Sequence, residues 1–181
     1  MLQEMQDVQL AVTLIELGAR LQFIESEVSI SRERLLRLYR EVQGGSPPKG
    51  LLPFSVDWYL AWMANIHASM FYNVYLAMAG SGAARLDALI KAFRMYLQQV
   101  QAHGDAALLD FTRAATLVKF FDGGMLQLTE CTRCTGHFVA RAHEPQAGYV
   151  CVLCRPPSRA GRKKRSESPD LVDPPGGDVT D

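Results

Sequence analysis

Apolar residues recur every three to four positions along most of residues 1–124, and this spacing predicts a chain of helices. The repeat is clearest over residues 2–28, where large aliphatic side chains alternate steps of four and three. Gly18 lies inside this repeat and could separate two helices. We therefore predict a mostly α-helical fold for this part of the chain.

The next helix is predicted to begin directly after Ser31, because a serine side chain can accept a hydrogen bond from an unpaired N–H group of the first helical turn. It runs from Arg32 towards Val42 and ends before a pair of glycines. Residues 44–53 (GGSPPKGLLP) predict a rigid, non-helical loop, since proline fixes φ and lacks a backbone donor. Further helices are expected from Trp58 to Met78, over residues 86–100, and from an Asp105 cap to Gly123.

A stretch of 27 residues, from Trp58 to Ala84, contains no Asp, Glu, Lys or Arg. Its length would allow it to cross a bilayer. However, Asn65, Ser69 and Asn73 place a polar stripe along one face of the expected helix. This stripe favours a helix that packs in a protein core or against a partner, and no membrane association is predicted.

The charged residues are unevenly distributed although the chain carries 19 basic and 19 acidic side chains. Residues 155–165 contain six basic side chains and no acidic one, whereas residues 166–181 contain five acidic side chains and no basic one. Blocks of like charge usually belong to solvated interaction segments. Prolines and glycines also recur after residue 155, so a basic and then acidic disordered tail is predicted over residues 158–181.

All four cysteines fall in two C-x-x-C pairs, Cys131 with Cys134 and Cys151 with Cys154, separated by 16 residues. This spacing is typical of a tetrahedral zinc site with four thiolate ligands. Four thiolates leave no open position for a substrate, so we expect one structural Zn²⁺. Its binding would fold a small zinc-ribbon-like module, predicted over residues 125–157 with short β-like runs at 137–140 and 149–152.

Other uses of the cysteines are less consistent with the sequence. Two disulfides would require an oxidising compartment, and the N-terminus shows no secretory leader. A redox C-x-x-C would not explain a second pair at this distance. His137 and His143 lie between the two pairs and are candidate substitute ligands.

Residues 20–42 have the apolar skeleton of a helix-turn-helix, whose second helix enters the major groove of DNA. Ile24 is expected to face the core, Ile30 to fill the turn, and Leu35 to anchor the second helix. The polar side of that helix supplies the candidate DNA contacts Arg32, Arg34, Arg37 and Arg40. Lys49 and the basic residues Arg162, Lys163, Lys164 and Arg165 are candidate phosphate contacts.

An ordinary solvated helix face is the alternative interpretation of these arginines, because Glu33 and Glu41 lie among them. The motif also departs from the usual pattern at two positions. Ser29 stands where a turn glycine is common, and Glu25 stands where the first helix commonly has a small residue.

The motifs of common enzyme classes are absent from the sequence. There is no P-loop, no G-x-S-x-G and no H-E-x-x-H pattern. His67 lies on an apolar helix face and is interpreted as a core histidine. We therefore predict neither an enzyme nor a small-molecule substrate.

Several long strings of the sequence resemble the FlhC family, subunits of a transcriptional activator of bacterial flagellar genes. They are LIELGARLQFIESE, ISRERLLRLYREV, GSPPKGLLPFSVDWYLAW, IHASMFYNVY and the two C-x-x-C pairs followed by RPPSRA. The resemblance covers residues 5–165 and leaves out the acidic tail.

The resemblance implies a cytoplasmic DNA-binding activator that acts in a hetero-oligomer with a second subunit, FlhD. It also implies binding upstream of flagellar operons and recruitment of RNA polymerase. The zinc ligands of the family match Cys131, Cys134, Cys151 and Cys154 one for one. The competing hypothesis is a helical, zinc-containing adaptor whose partner carries all the DNA contacts.

Overall fold

The computed structural model describes residues 1–50, 52–144, 147–158 and 160. Over these residues the chain forms seven helices followed by two strands, which confirms the mostly helical fold. The elements are α1 (Leu2–Glu16), α2 (Leu21–Glu27), α3 (Arg32–Gln43), α4 (Asp57–Leu60), α5 (Trp62–Gly80), α6 (Arg85–Ala102), α7 (Phe111–Asp122), β1 (Leu126–Glu130) and β2 (His137–Arg141).

The N-terminal apolar repeat is divided at Gly18, as its position suggested. This glycine has a φ of +75°, a left-handed conformation that residues with a Cβ atom rarely adopt. The next N–H group, that of Ala19, reaches back to the carbonyl of Leu14 at 2.9 Å and closes the end of α1. The chain can therefore turn and begin α2.

The start of α3 also agrees with the prediction. The side chain of Ser31 accepts a hydrogen bond from the backbone N–H of Arg34. Leu35 and Tyr39 are buried, and the Tyr39 hydroxyl donates to the carbonyl of Ala19 at 3.2 Å. One side of α3 is thus fixed against the connection between α1 and α2.

Two predicted helix boundaries were wrong. The helix expected from Trp58 to Met78 is interrupted at Ala61, which has an extended backbone and separates α4 from α5. The helix expected to start at an Asp105 cap starts instead at Phe111, where the Asp110 side chain accepts a hydrogen bond from an N–H group of the first turn at 2.7 Å.

One core joins the N-terminal helices to α5, α6 and α7, and the part between the last three helices is rich in aromatic rings. Phe93 contacts Phe111 edge-to-face at a centroid distance of 5.2 Å. His67 is buried beside these rings with its Nδ1 atom 2.7 Å from the Tyr96 hydroxyl, which confirms the interpretation of a core histidine. Among the helices of the described residues, none combines the length and apolarity needed to cross a membrane.

The two strands form an antiparallel hairpin in which Leu126 faces Arg141 and Glu130 faces His137. Strand β2 matches the run expected at residues 137–140, whereas β1 was not predicted. The run expected at residues 149–152 is not a strand.

The polar stripe of α5 binds the edge of β2 that faces away from β1. Asn65 donates from Nδ2 to the Val139 carbonyl at 2.7 Å, and the Ser69 hydroxyl accepts from the Val139 N–H at 2.9 Å. Asn73 donates to the His137 carbonyl at 2.9 Å. Side chains of a helix therefore replace a neighbouring strand, satisfying backbone groups that an open edge would leave unpaired.

Candidate metal centre and arginine surface

The two cysteine pairs meet at one centre at the end of the hairpin. The sulfur atoms of Cys131, Cys134, Cys151 and Cys154 all lie within 4.8 Å of one another. All four are free, and the sulfurs of Cys134 and Cys151 are 3.7 Å apart, far longer than the ~2 Å bond of a disulfide. Four thiolates at ~2.3 Å from one tetrahedral ion lie about 3.8 Å apart, so the cluster could hold a metal ion.

Backbone N–H groups point at the buried sulfurs of the cluster. The Cys131 sulfur accepts from the N–H groups of Arg133 at 3.4 Å and Cys151 at 3.3 Å. The hydrogen bond from the Cys151 backbone makes the largest contribution to lowering the pKa of Cys131, to about 6. The backbone therefore stabilises the thiolate form that binds metals.

The thiol of Cys154 is less acidic than an ordinary cysteine thiol. Its pKa is raised to about 12, first because its sulfur shares hydrogen bonds with Cys134 and Cys151. Four sulfurs this close cannot all lose their protons without a compensating cation. A bound metal ion would supply that positive charge, so the donor set fits a metal centre.

The first cysteine turn needs a glycine for space rather than for backbone freedom. Thr135, with a φ of +59°, takes the left-handed position of the turn. A Cβ atom on Gly136 would lie 3.0 Å from a Phe138 ring carbon and 3.4 Å from the Cys134 sulfur. A side chain at residue 136 would therefore have to push the Phe138 ring aside by a few tenths of an ångström.

Contacts outside the sulfur cluster join the two cysteine turns. The backbone N–H of Thr132 donates to the Tyr149 carbonyl at 2.9 Å, and Arg133 donates to the Cys154 carbonyl at 3.4 Å. The spacing of the cysteines did not indicate these contacts of Thr132 and Arg133. Within the described part of the chain, the cluster contains neither His137 nor His143.

The candidate DNA-contacting arginines lie on the exposed side of α3. Three of them form ion pairs at their guanidinium groups: Arg32 with Glu25 at 2.5 Å, Arg34 with Glu4 at 2.6 Å, and Arg37 with Glu33 at 3.1 Å. Their side chains remain 62%, 47% and 63% exposed. Arg40 is exposed, and no ion pair of its side chain occurs among the described residues. Glu25, which departs from the usual helix-turn-helix pattern, is the ion-pair partner of Arg32 at the beginning of α3.

Lys49 lies closer to α3 than its sequence position suggests. It lines one groove together with Arg32 and Leu36 of α3, because the loop after α3 returns past the beginning of that helix. The remaining candidates, Arg162, Lys163, Lys164 and Arg165, lie outside the described residues, as does the acidic segment 166–181.

Two further arginines border a neighbouring cleft and were missed by sequence reasoning. Arg20 and Arg113 line this cleft with Phe54 and Trp58. The Arg113 guanidinium lies 4.0 Å above the centre of the Trp58 ring. These residues are far apart in the sequence, so only the fold brings them together.

Comparison with known proteins identifies the family. Residues 1–167 match the family described as "Flagellar transcriptional activator (FlhC)". The chain is 62% identical over 162 residues to the flagellar transcriptional regulator FlhC of Variovorax paradoxus (strain S110), covering 89% of this chain and 80% of that protein. It is 56% identical over 173 residues to the protein of that name from Serratia marcescens, covering 94% and 89%. The chain therefore belongs to the FlhC family of flagellar transcriptional activators.

Proposed function

We propose that the chain is a DNA-binding subunit of a transcriptional activator. In this proposal it acts in the cytoplasm, in a hetero-oligomer with FlhD, and recruits RNA polymerase to flagellar promoters. The observation that carries the DNA-binding part is α3, a helix buried along Leu35 and Tyr39 that presents four arginines on its exposed side. Guanidinium groups contact DNA phosphates and can bind guanine through two hydrogen bonds.

The ion pairs of α3 are compatible with DNA binding. Exposed pairs of this kind contribute only about 0–1 kcal/mol each, because water and salt screen them. A phosphate can therefore replace Glu33, which is 83% exposed, as the partner of Arg37 at little cost, whereas Glu25, the partner of Arg32, is only 27% exposed. Lys49, beside the beginning of α3, and the basic residues 162–165 would add phosphate contacts.

We further propose that the four-cysteine cluster holds one structural Zn²⁺. The distances between the sulfurs and the hydrogen bonds to Cys131 support a site built for thiolate ligands. When bound, the ion would crosslink the two C-x-x-C turns and hold residues 125–157 as one unit. Four protein ligands leave no position for a substrate, so the proposal includes no catalytic activity.

A second candidate function is that of an adaptor whose partner carries the DNA contacts. The observation that favours it is the pairing of three α3 arginines with glutamates of the same chain. In that case Arg32 and Arg34 would link α3 to α2 and α1, Arg37 would pair within α3, and none of the three would meet DNA.

A band-shift assay with the full chain, alone and with its FlhD subunit, tests the DNA-binding proposal. The DNA would be a flagellar promoter duplex and a scrambled duplex of the same composition. Arg37→Ala is expected to cost about 1–3 kcal/mol of binding free energy on the promoter if it reads a guanine. Arg94→Ala, an exposed arginine of α6, is the matched control. Unchanged promoter affinity in both Arg37→Ala and Arg40→Ala would favour the adaptor.

A further inference from the structure

We propose that the proline-rich loop after α3, residues 46–50 and 52–55, is a second DNA contact. Its basic neighbours hold phosphates, and Phe54 inserts between base pairs from the minor groove. This inference rests on the proposed DNA binding by α3 and adds a second surface to it.

Phe54 is unusual because its ring faces solvent. The residue is 83% exposed, whereas every other Phe, Tyr and Trp of the described residues is buried or half-buried. Leu52 beside it is also exposed, at 39%. Pro47, Pro48 and Pro53 restrict the loop backbone, so presenting this apolar tip to a ligand costs little conformational entropy.

The loop lies where DNA held by α3 would pass. In a helix-turn-helix, residues at the beginning of the second helix contact base edges. Lys49 shares a groove with Arg32 and Leu36, in the first half of α3. A duplex seated on the beginning of α3 would therefore also meet the loop.

The other side of the loop borders the cleft that Phe54 shares with Trp58, Arg20 and Arg113. The loop backbone approaches Arg20 closely, since a Cβ atom on Gly50 would lie 3.4 Å from its Nη1 atom. Basic side chains therefore lie on both sides of the loop. Lys49 is on the side of α3, and Arg20 and Arg113 are on the other side.

The acidic groups near this cleft are already engaged. Asp57 pairs with Arg141, and Asp110 both caps α7 and lies 3.6 Å from the Nε atom of Arg113. Asp110 therefore offsets part of the charge of Arg113, and Lys49 provides the charge complementarity to phosphate on the α3 side of the loop.

An apolar side chain between basic residues suits the minor groove of DNA. Proteins that bind there combine arginine or lysine contacts with phenylalanine, leucine or proline wedges that separate two base pairs. A segment next to a helix in the major groove can reach the adjacent minor groove. Continuity with α3 and the basic flanks favour DNA over an apolar protein partner as the occupant.

The test measures the affinity of the full chain, with its FlhD subunit, for an AT-rich promoter duplex over a series of salt concentrations. Phe54→Ala is expected to weaken binding about tenfold at every salt concentration, because stacking on a base is lost but no charge is removed. Phe54→Trp should retain affinity. Lys49→Gln should instead reduce the salt slope by about one. Met95→Ala, an exposed apolar residue of α6, is the control.

Netropsin, which occupies the minor groove of AT-rich DNA, gives an independent measurement. It should weaken binding of the unmodified chain several-fold more than binding of Phe54→Ala. The inference is overturned if the DNA affinity of Phe54→Ala equals that of Met95→Ala. The same conclusion holds if Phe54→Ala no longer binds the FlhD subunit but its DNA affinity is unchanged. If DNA binding through α3 were wrong as well, Arg37→Ala and Arg40→Ala would also leave the DNA affinity unchanged. This result separates failure of the proposed function from failure of the loop contact alone.

Discussion

At Gly136 the backbone of the first cysteine turn passes so close to Phe138 and Cys134 that a side chain there would crowd both groups. Gly136→Ala is therefore expected to displace the Cys134 sulfur and to weaken metal binding by about 10- to 100-fold, as loss of a supporting contact commonly does. Competition with a chromophoric chelator measures this affinity. Gly45→Ala is the control, since a Cβ atom there meets nothing within 4 Å. Equal affinities of both variants would contradict the steric explanation.

The buried imidazole of His67 makes stability depend on pH. Burial lowers its pKa because the charged form loses hydration, and the charge of Asp105 opposes this only in part. The unfolded chain, with an imidazole pKa of ~6.5, therefore binds the proton before the folded chain does. Below that pH the free energy of unfolding should fall by up to about 1.4 kcal/mol per pH unit, until the folded-state pKa is reached.

Urea titrations between neutral and mildly acidic pH measure this dependence. His67→Gln should remove the part of the slope that His67 contributes, and His103→Gln, which replaces an exposed histidine, is the control. Identical slopes in all three proteins would show that His67 does not titrate as described.

Among the elements, α5 and β2 are joined by side chains rather than by a second strand. Ser69→Ala would remove the acceptor of the buried Val139 N–H and is expected to cost about 1–3 kcal/mol. Asn73→Ala should cost less, because its bond to His137 is exposed to water. Denaturant titration gives both values, and hydrogen exchange at Val139 should accelerate only in Ser69→Ala. A larger loss for Asn73→Ala would contradict this order.

Elements with a strong local signal were predicted well from the sequence. The Ser31 cap and the apolar side of α3 were found because capping and helical periodicity act over a few residues. The start of α7 was misplaced because Asp105 and Asp110 are both plausible caps. The choice depends on Leu109, which is buried and donates its N–H to the Tyr96 hydroxyl at 3.1 Å, a contact between different elements.

At the candidate sites, too, features set by neighbouring residues were predicted, whereas contacts between distant elements were not. The four cysteines were found from spacing, because the ligand geometry of a metal constrains that spacing directly. The alternation in Leu126–Glu130 could have indicated β1, but five residues are a weak signal. The polar stripe of α5 was recognised without its partner β2, since nothing in the sequence relates Ser69 to Val139.

For the whole molecule, we propose that the two cysteine turns depend on the metal and that the helices and the hairpin packed on them do not. Most of the buried core residues lie in the helices, whereas the cysteine turns bury only a small cluster around Phe138. Chelation should therefore abolish hydrogen-exchange protection at the N–H groups of Cys131, Thr135 and Arg155, which are bonded within the cysteine turns, and retain the far-ultraviolet signal of the helices. Readdition of Zn²⁺ should restore the protection. Unchanged exchange after verified metal removal would contradict this dependence.

The most direct measurement of the central claim is the salt dependence of promoter binding by the unmodified chain and by a double variant, Arg37→Ala with Arg40→Ala. If both guanidinium groups of α3 contact phosphates, the slope of log K against log salt should fall in magnitude by about 1.8. Affinity should fall with it, while the fold monitored by circular dichroism stays the same. An unchanged slope and an unchanged affinity would contradict DNA binding through α3.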